Sequence, residues 1–521
     1  MRQRRTTTLP SFIVRDGPCN FRSQRTDIRG QISEDRCQKT EVFWLYISSK
    51  QDIGEISYMR NLEITAERQD KGSIESNTQQ NRGAGLSRRD FMGGAAAAAA
   101  FTIVPRSVLG GPRHIPPSEK LNIAGIGIGG RGAGDLDALS SENIVALCDV
   151  DQKYAAATFK RYPNAKKYRD FRRMLDKEDK NIDAVVIATP DHTHAVIAMK
   201  AIKMGKHVYC EKPLAHSIYE VRKVTEAARE AGVATQLGNQ GQASETTRLA
   251  CEFIRDGALG PVREVHSWCN RPISPRGIDR PKETPPVPEG LDWDLWLGPA
   301  PERPYHPCYL PFTWRGWWDF GTGVLGDIGC HQFAPIFRAL KPGYPTCVNA
   351  CSSGVNSETA PLASIVRYEF PQRYDFPALK LTWYDGGLMP ARPKELKEGL
   401  RFGNADDNLF LGDKGKMLGH RLLPESRSKE YGKPPRILAR SPGHHKEWLD
   451  ACKGGPPAGS NFDVSGPLTE VVLLGNIALR MGQMLYEKGI KLYYNGPKMK
   501  VTNIPEANKY ILDEYRDGWT L

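Results

Sequence analysis

The sequence lacks several features that mark whole classes of protein. None of its 11 cysteines lies in a C-x-x-C pair, so the spacings of zinc and redox motifs are absent. The net charge of +12 is diluted along the chain, and no part after residue 113 forms a dense basic stripe. We also find no internal repeat. These absences disfavour a metal site, a nucleic-acid partner and a repeat architecture, and the length of 521 residues allows more than one core-stabilised domain.

Disulfides are not expected to hold the fold together. Cys347 and Cys351 are close enough along the chain to pair in an oxidising compartment, but packed free thiols are the simpler expectation. We therefore expect stability to come from apolar cores.

A twin-arginine pattern occupies Ser87–Met92 (SRRDFM) and overlaps the apolar region Phe91–Val104. That region is rich in Ala and Gly and is shorter than the roughly 20 residues of a membrane span. We predict a leader over residues 87–113 that exports the folded protein to the periplasm, where an uncleaved signal would anchor it; a buried Ala-rich helix is the alternative. Since such signals lie at N-termini, we expect translation to start at Met59 or a nearby non-Met codon. Residues 1–86 are then disordered or absent.

The segment NIAGIGIGGRG is the most informative part of the chain. It predicts a buried strand over Asn122–Ile126 that runs into a turn with Gly127, Gly129 and Gly132 in the G-x-G-x-x-G spacing, followed by a helix. The first glycine allows the tight turn, the second lets the backbone approach a pyrophosphate, and the third lets the helix pack on the strand. An ordinary glycine-rich turn is the alternative to dinucleotide binding.

A second predicted strand, Ile144–Cys148, ends at Asp149, which follows Gly127 by 22 residues. A carboxylate at this point accepts hydrogen bonds from both ribose hydroxyls and repels a 2′-phosphate. The pattern favours NAD, although Lys153 nearby leaves room for NADP.

Strand and helix alternate over the predicted Rossmann domain, residues 117–240, which indicates a doubly wound parallel sheet. The further predicted elements are a strand at Asp183–Thr189, a helix at His194–Met204, a strand at His207–Cys210, a helix at Ser217–Ala231 and a strand at Val233–Leu237.

The regular alternation of strand and helix ends in the predicted second domain, residues 241–500. A C-terminal tail at 501–521 follows it. Pro272–Pro304 is too rich in proline for regular structure and predicts a long packed loop. Strands are predicted at Ala363–Phe370 and Ala378–Tyr384, in an open, mainly antiparallel or mixed sheet. One helix is expected to start at Ser441-Pro442 and reach Cys452, and an apolar helix is expected over Thr469–Tyr486.

Three positions carry chemistry. Thr189–His194 and Glu211–Pro213 each follow a strand at its carboxyl end, where ligands bind in such sheets. Lys212 could hydrogen-bond a substrate oxygen and favour a developing alkoxide. Asp327 and His331 are four residues apart, a spacing that suits a base and its orienting partner on one helix face. Taken singly, each has an ordinary alternative, and the two histidines of the first segment have no evident third metal ligand.

Four motifs occur in order and together resemble one family. They are Gly127–Gly132, then Ala188-Thr189-Pro190 with His194, then Glu211-Lys212-Pro213, and finally Gly321–Asp327 followed by His331. On these motifs, Leu121 to Tyr493 is similar to the Gfo/Idh/MocA oxidoreductases, the relatives of glucose–fructose oxidoreductase and inositol dehydrogenase. A leader followed directly by this fold is similar to secreted members of the family.

The resemblance implies a Rossmann domain and an open-faced α+β domain with the active site between them. It makes Lys212 the substrate-binding and catalytic lysine, His331 the acid/base, and Asp327 the residue that orients His331 or the sugar. The family's Thr-Pro-Asn is Thr-Pro-Asp here, which puts a cofactor role for Asp191 in doubt. The residues expected to contact the cofactor are Gly127, Gly129, Gly130, Arg131, Gly132, Asp149, Thr189, Pro190, His194, Glu211, Lys212, Asn239 and Gln240. Candidate substrate residues are Arg271, Trp314, Arg315 and Trp317, with loop packing as the alternative for the aromatic run.

We therefore expect an NAD(P)-dependent oxidoreductase that acts on a sugar or polyol hydroxyl and binds no metal. One alternative is redox-neutral glycoside cleavage by transient oxidation and elimination. Another is a non-catalytic nucleotide- or sugar-binding module. A homo-oligomer is expected because one face of the second sheet needs a cover.

Overall fold

The computed structural model describes residues 119–271, 275–354 and 356–521. The predicted extension at 1–86 and the twin-arginine leader at 87–113 lie outside the described residues.

The first sheet consists of six parallel strands, and helices lie between consecutive strands along the chain. The strands are β1 (Asn122–Ile126), β2 (Asn143–Cys148), β3 (Lys166–Tyr168), β4 (Ala184–Ile187), β5 (His207–Glu211) and β6 (Thr235–Gly238). The helices are α1 (Arg131–Ala138), α2 (Ala156–Arg161), α3 (Phe171–Glu178), α4 (Asp191–Lys203) and α5 (Ile218–Ala231). The strand order β3-β2-β1-β4-β5-β6 confirms the predicted doubly wound sheet.

Apolar composition explains why these strands are central. All four residues of β4 (AVVI) are buried, as expected for a parallel strand with helices on both faces. Ser217 starts α5 with a capping box, in which its side chain accepts a hydrogen bond from the Glu220 N–H and the Glu220 carboxylate accepts one from the Ser217 N–H. Gly232, in the left-handed conformation with φ of +66°, ends the same helix.

The second sheet has nine strands and is mixed. They are β7 (Val262–Cys269), β8 (Cys347–Ser352), β9 (Ser364–Phe370), β10 (Leu379–Asp385), β11 (Asp406–Gly412), β12 (Gly415–Leu418), β13 (Arg421–Leu423), β14 (Leu492–Asn495) and β15 (Lys500–Val501). Their order is β13-β12-β11-β7-β10-β9-β8-β14-β15. Among the described strands of this second sheet, β7 and β10 pair in parallel, and the other neighbouring strands pair antiparallel.

Seven further α-helices lie in the described residues after 240. They are α6 (Glu245–Arg255), α7 (Trp293–Leu297), α8 (Gly323–Leu340), α9 (Glu425–Tyr431), α10 (His444–Cys452), α11 (Phe462–Arg480) and α12 (Gly482–Lys488). The helices α8 and α11 pack on each other and on the inner face of the second sheet. By length and composition α11 could cross a membrane, but 83% of its apolar window is buried in the fold, as in a core helix.

Three sequence predictions for the second half need correction. The helix predicted from Ser441-Pro442 starts at His444, because Gly443 precedes it with φ of +124°, outside helical space. The helix predicted over Thr469–Tyr486 starts at Phe462, where the Asn461 side chain caps it, and it ends at Arg480. The proline-rich loop contains the short helix α7; residues 272–274 of that loop lie outside the described residues.

The outer face of the second sheet is more polar than the oligomer prediction assumed. Glu264, Arg367, Glu369 and Lys380 lie on neighbouring strands and project on the side opposite the buried row of Val366 and its neighbours. Burial of apolar surface therefore does not by itself require a partner here, and the oligomer stays a prediction.

The cysteines in the described part of the chain are free thiols. Cys347 and Cys351 lie at opposite ends of the extended strand β8, and Cys351 is exposed while Cys347 is buried. Cys347 and Cys351 are therefore free thiols and do not form a disulfide with each other.

The C-terminal segment, residues 505–521, folds back onto the first domain. Its Ile511 carbonyl accepts a hydrogen bond from the Tyr219 N–H at 2.9 Å, and Asp513 Oδ2 lies 2.7 Å from His216 Nδ1. The Trp519 ring packs beneath the Arg172 guanidinium, 4.5 Å from its carbon. The boundary predicted at residue 500 falls inside β15.

Candidate active site

The turn after β1 resembles a dinucleotide-binding turn. It has glycines at positions where a side chain would collide with neighbouring backbone atoms. Gly127 has φ of +77°, and a Cβ there would lie 2.7 Å from the carbonyl carbon of Ala188. A Cβ on Gly132 would lie 2.2 Å from the Gly127 carbonyl oxygen, so only glycine lets α1 begin this near β1. Gly130 is the N-cap of α1 and supplies no side-chain hydrogen bond, so the first N–H groups of this helix can face an anion.

Asp149 follows β2 and holds the same turn. Its Oδ2 accepts hydrogen bonds from the N–H groups of Ile128 at 2.8 Å and Gly129 at 3.1 Å, and its Oδ1 accepts one from Asp151 at 2.9 Å. Burial raises the pKa of Asp149 to about 6. The carboxylate predicted to meet the ribose therefore also fixes the glycine turn. The Tyr154 ring packs on this turn, and a Cβ on Gly129 would lie 2.1 Å from it.

Thr189 and Pro190 lie at the carboxyl end of β4, directly against the glycine turn. A Cβ on Gly127 would lie 2.7 Å from the backbone nitrogen of Thr189. Pro190 is the N-cap of α4, and its carbonyl accepts a hydrogen bond from the Thr193 hydroxyl at 3.0 Å. Both residues lie at the predicted end of β4, beside the glycine turn, and their contact with a cofactor stays a prediction.

Arg131, Glu211 and Gln240 meet beside the start of α1. Arg131 Nε donates to Glu211 Oε1 at 3.1 Å, and Gln240 Nε2 donates to the same oxygen at 2.7 Å. Gly238 leaves room for this carboxylate, since a Cβ there would lie 2.4 Å from it. Burial raises the pKa of Glu211 to about 7. Three residues predicted separately as cofactor contacts thus form one network at the carboxyl ends of β5 and β6.

Asp191 and His194 tie neighbouring segments together. Asp191 Oδ2 accepts hydrogen bonds from the Thr322 N–H at 3.1 Å and from its hydroxyl at 2.6 Å, just before α8. His194 Nδ1 lies 2.7 Å from the Pro213 carbonyl oxygen, and its Nε2 lies 2.8 Å from that of Thr189. Both ring nitrogens face backbone carbonyls and the residue is 1% exposed, so His194 lies between the loops after β4 and β5 instead of contacting a cofactor directly.

A cluster of three charged side chains lies at the carboxyl end of β5. Lys212 Nζ donates to Asp327 Oδ1 from the other domain, and Arg315 Nε lies 3.3 Å from the same oxygen. Although burial opposes it, the Lys212 and Arg315 cations hold the pKa of the Asp327 carboxyl well below its usual range. Two cations share one carboxylate, so the cluster keeps a net positive charge that can stabilise negative charge on a nearby oxygen.

His331 lies one helical turn after Asp327 on α8, as the spacing predicted. Burial, together with the nearby Lys212 cation, lowers the pKa of His331 to about 3. Its ring is therefore neutral at ordinary pH and can accept a proton. The two residues do not hydrogen-bond to each other: the Asp327 carboxylate is engaged by Lys212 and Arg315, whereas His331 Nδ1 contacts Asn239 Oδ1 at 2.8 Å. The prediction that Asp327 orients His331 is corrected, because Asn239 occupies that position.

Arg271 lies near this cluster but is already paired. Its Nε and Nη2 donate to the Asp406 carboxylate at 2.7 and 2.8 Å, and Gln332 Nε2 donates to the same carboxylate at 3.0 Å. The Arg271 charge contributes to lowering the pKa of His331, so the pair lies within electrostatic range of the ring. Sequence reasoning did not find Asp406, which follows Arg271 by 135 positions and joins it only in the folded sheet.

The aromatic run near Arg315 is not a sugar platform. Trp317 is 0% exposed and its Nε1 donates to the Cys308 carbonyl at 3.2 Å. Trp314 is also buried, and its ring lies 4.3 Å from the Arg315 guanidinium carbon. Loop packing, the alternative interpretation, is what the structure shows. The exposed aromatic ring next to Arg315 is that of Phe312, whose position in a proline-flanked loop gave no sequence signal.

Groups of three or more potential metal-ligating side chains are absent from the described residues.

Two segments of the chain match models of one family. Residues 120–239 match the NAD-binding Rossmann fold of the Gfo/Idh/MocA oxidoreductase family, and residues 278–349 match the C-terminal alpha/beta domain of that family. The first domain is thus an NAD-binding Rossmann domain, and over the two matched segments the chain is similar to this oxidoreductase family.

Individual relatives cover part of the chain. A levoglucosan dehydrogenase from Pseudarthrobacter phenanthrenivorans is 30% identical over 134 residues, which are 25% of this chain and 34% of that protein. An inositol 2-dehydrogenase from Rubrobacter xylanophilus is 31% identical over 156 residues, which are 29% of this chain and 44% of that protein. The matches therefore span less than half of the length of these curated relatives.

The fold is also that of a solved structure. The crystal structure of GenD2 from gentamicin A biosynthesis, in complex with NAD, aligns with a TM-score of 0.50 at 19% identity. The alignment covers 74% of this chain and 99% of the other. At this identity the likeness shows the fold alone.

Proposed function

We propose that this protein is an NAD-dependent oxidoreductase that transfers hydride between the nicotinamide and a hydroxyl-bearing carbon of a sugar or polyol. The observation that carries the proposal is the meeting of Lys212, Asp327 and His331 at the carboxyl edge of the NAD-binding sheet. Relatives that act on levoglucosan and inositol, to judge from their names, support a polyhydroxylated substrate.

The residues at the glycine turn fit NAD. Gly127 and Gly132 let β1, β4 and α1 pack closely around the turn, and the N-terminus of α1 has no side-chain cap. Asp149 brings a carboxylate to the end of β2, where it disfavours a 2′-phosphate. When bound, NAD supplies the hydride acceptor for oxidation of a carbon atom.

The side chains of this protein supply the proton transfer and the charge stabilisation. Lys212 Nζ, held by Asp327, can donate a hydrogen bond to the substrate hydroxyl and stabilise negative charge as it develops on that oxygen. His331 is neutral and its Nε2 has no hydrogen-bond partner among the described residues, so it can accept the hydroxyl proton. Holding both groups at one substrate oxygen orients the reaction and reduces its entropic cost.

The direct test is to incubate the full chain with NAD and a panel of polyols, aldoses and glycosides while following reduced nicotinamide and free sugar. Net formation of NADH with at least one compound is expected. Release of free sugar without net reduction would replace the dehydrogenase with redox-neutral glycoside cleavage. Absence of both reactions, with NAD still bound, would favour a binding module.

The cofactor site has a matched pair of variants on one helix. Gly132→Ala should abolish NAD binding, because its Cβ would meet the Gly127 carbonyl oxygen. Gly134→Ala adds the same methyl group where nothing lies within 4 Å, so NAD affinity should be unchanged. Equal NAD affinities in the two variants, measured by calorimetry, would place the cofactor elsewhere.

We also propose that the protein is exported through the twin-arginine pattern at Ser87–Met92. The sequence alone supports this, since the pattern lies outside the described residues. Replacing both Arg88 and Arg89 by lysine should retain the protein in the cytoplasm, as fractionation of a bacterial host would show. Unchanged distribution would remove the export proposal.

A further inference from the structure

Asn239 is buried directly behind the ring of His331. It follows β6, is 1% exposed, and belongs to the first domain, whereas His331 belongs to α8. Asn239 Nδ2 donates to the Cys330 carbonyl at 2.9 Å, and its Oδ1 lies 2.8 Å from His331 Nδ1. The same amide therefore contacts the backbone and the side chain of consecutive residues on one helix.

The chemistry of these partners fixes which atom carries the proton. A backbone carbonyl only accepts hydrogen bonds, so the NH₂ group of Asn239 must face Cys330. The amide oxygen then faces His331, and because it too only accepts, His331 Nδ1 must be the protonated nitrogen. The neutral ring consequently carries its lone pair on Nε2.

The backbone of α8 helps to hold this arrangement. Pro335 has no N–H to donate to the carbonyl four residues earlier, which is that of His331, so the helix lacks one internal bond at this turn. Side-chain amides support the carbonyls on either side: Asn239 donates to Cys330, and Asn408 donates to Gln332 at 2.9 Å. These two amides anchor the turn that carries His331.

We infer that Asn239 is a positioning residue that selects the Nδ1-protonated tautomer of His331 and so leaves Nε2 as the proton acceptor. The inference rests on the proposed function for its catalytic meaning, because it names how the acid/base of that site is prepared. It differs from the sequence expectation that Asn239 contacts the cofactor.

The groups that face His331 make the consequence measurable. Lys212 from the end of β5, Arg271 after β7 and Arg131 of α1 are cations, and Asp327 on the same helix is the nearby anion. In this setting a new negative charge at position 239 would favour the imidazolium. It would raise the pKa of His331 without moving the ring.

Two substitutions separate the roles of the amide. Asn239→Asp keeps an oxygen facing Nδ1 and adds a negative charge. The acid limb of the pH profile, where kcat for alcohol oxidation falls as His331 becomes protonated, should therefore move to higher pH by about one to three pH units. Asn239→Leu removes both hydrogen bonds at similar volume. It should lower kcat by about 10- to 100-fold with a smaller change in KM, since the ring can then adopt either tautomer.

Asn408→Leu is the matched control. It removes a hydrogen bond of the same kind to the same helix, two residues further on, and does not touch His331. Its pH profile should keep the wild-type acid limb. If Asn408→Leu shifts that limb as far as Asn239→Asp does, the effect belongs to the helix and the inference is wrong. Thermal unfolding of each variant shows whether it is folded.

Nitrogen NMR of the histidine-labelled full chain tests the tautomer without any substrate. The His331 signal, assigned by its loss in His331→Gln, should show a protonated Nδ1 in the wild type and a mixture in Asn239→Leu. A protonated Nε2 in the wild type would overturn the inference.

The two proposals fail separately. If the tautomer behaves as expected and no sugar or polyol is turned over, the positioning role stands and the proposed function falls. If turnover is present but the acid limb stays in place in Asn239→Asp, the positioning role falls and the function stands.

Discussion

Two partly buried histidines, His331 in the candidate site and His216 under the C-terminal segment, each lie near an aspartate, yet they have opposite charge states. His216 contacts Asp513 directly at 2.7 Å. Although burial acts against it, this carboxylate raises the pKa of His216 to about 9. His331 has Asp327 one turn away, but its pKa is lowered to about 3 by burial and by the Lys212 cation.

The difference lies in what the aspartate is bonded to. Asp327 is held by Lys212 and Arg315, so little of its charge is left to favour an imidazolium. His216, in contrast, bonds its carboxylate directly and is charged at neutral pH. A partly buried histidine next to an aspartate thus forms a structural ion pair at His216. At His331 it is a neutral proton acceptor with an open ring nitrogen.

The largest expected effect is on turnover, which should depend on His331 and not on His216. Lys212→Ala or His331→Ala should reduce turnover by about 10²- to 10⁴-fold, because each removes a group that acts on the reacting oxygen. NAD affinity should stay near wild type, since the glycine turn and Asp149 are untouched. Single-turnover reduction of bound NAD is the measurement, and the double variant should be far from additive.

His216→Gln is the control for that comparison. It lies in the ion pair under the C-terminal segment, so turnover should remain close to wild type at temperatures where the variant is folded. Near-wild-type hydride transfer in His331→Ala, or its loss in His216→Gln, would reverse the assignment of the two histidines.

The next effect concerns stability. Asp513→Ala leaves His216 buried without its partner and should lower the free energy of unfolding by about 3 kcal/mol, the lower end for a broken buried pair because Asp513 is partly exposed. Asp176→Ala breaks an exposed pair with Lys200 and should cost at most about 1 kcal/mol. Urea titration of both variants gives the comparison, and equal costs would show that the C-terminal segment is not held by this pair.

The outline of the fold was accessible from the sequence because its signals are local. The glycine turn, the apolar run of β4 and the i, i+4 spacing of Asp327 and His331 are each contained in a few residues. Lys212 and His331 were found in this way, and the structure brings both to one cluster.

What the sequence could not supply are the partners that only folding brings together. Asn239 and His331 are separated by 92 positions, so no spacing rule pairs them. Trp317 could not be distinguished from a surface platform, because its burial depends on the packing of Tyr309 and Phe320 around it. The start of α11 was missed for a local reason: Pro467 and Gly466 interrupt the apolar pattern near its beginning.

The pH dependence of stability should have opposite signs at the two histidines. The folded-state pKa of His216 is about 9, above the roughly 6.5 of an unfolded histidine, so its stabilisation is complete below pH 6.5 and is lost as the pH rises through 9. The folded-state pKa of His331 is about 3, so the unfolded chain binds the extra proton and stability falls as the pH drops from about 6.5 towards 3. The difference in unfolding free energy between wild type and His216→Gln should therefore shrink as the pH rises from about 6.5 to 9, whereas that for His331→Gln should change on the acid side. A difference that is constant with pH for either variant would contradict the charge state given to that histidine.

The smallest expected effect uses a third carboxylate, which is held by backbone N–H groups instead of by a cation. Burial raises the pKa of Asp149 to about 6, so this group is charged above that pH and neutral below it. Only the charged form repels a 2′-phosphate, and the preference for NAD over NADP should therefore decline as the pH falls through 6, by about tenfold, or about 1.4 kcal/mol. Calorimetric affinities for both cofactors at pH 5 and 8 test this without any substitution. The NADP phosphate also changes its charge over this range, so its titration is measured with free NADP and subtracted. Asp149→Asn should show the low-pH ratio at both values. A wild-type ratio that does not change between them would mean that Asp149 holds the glycine turn but does not reach the ribose.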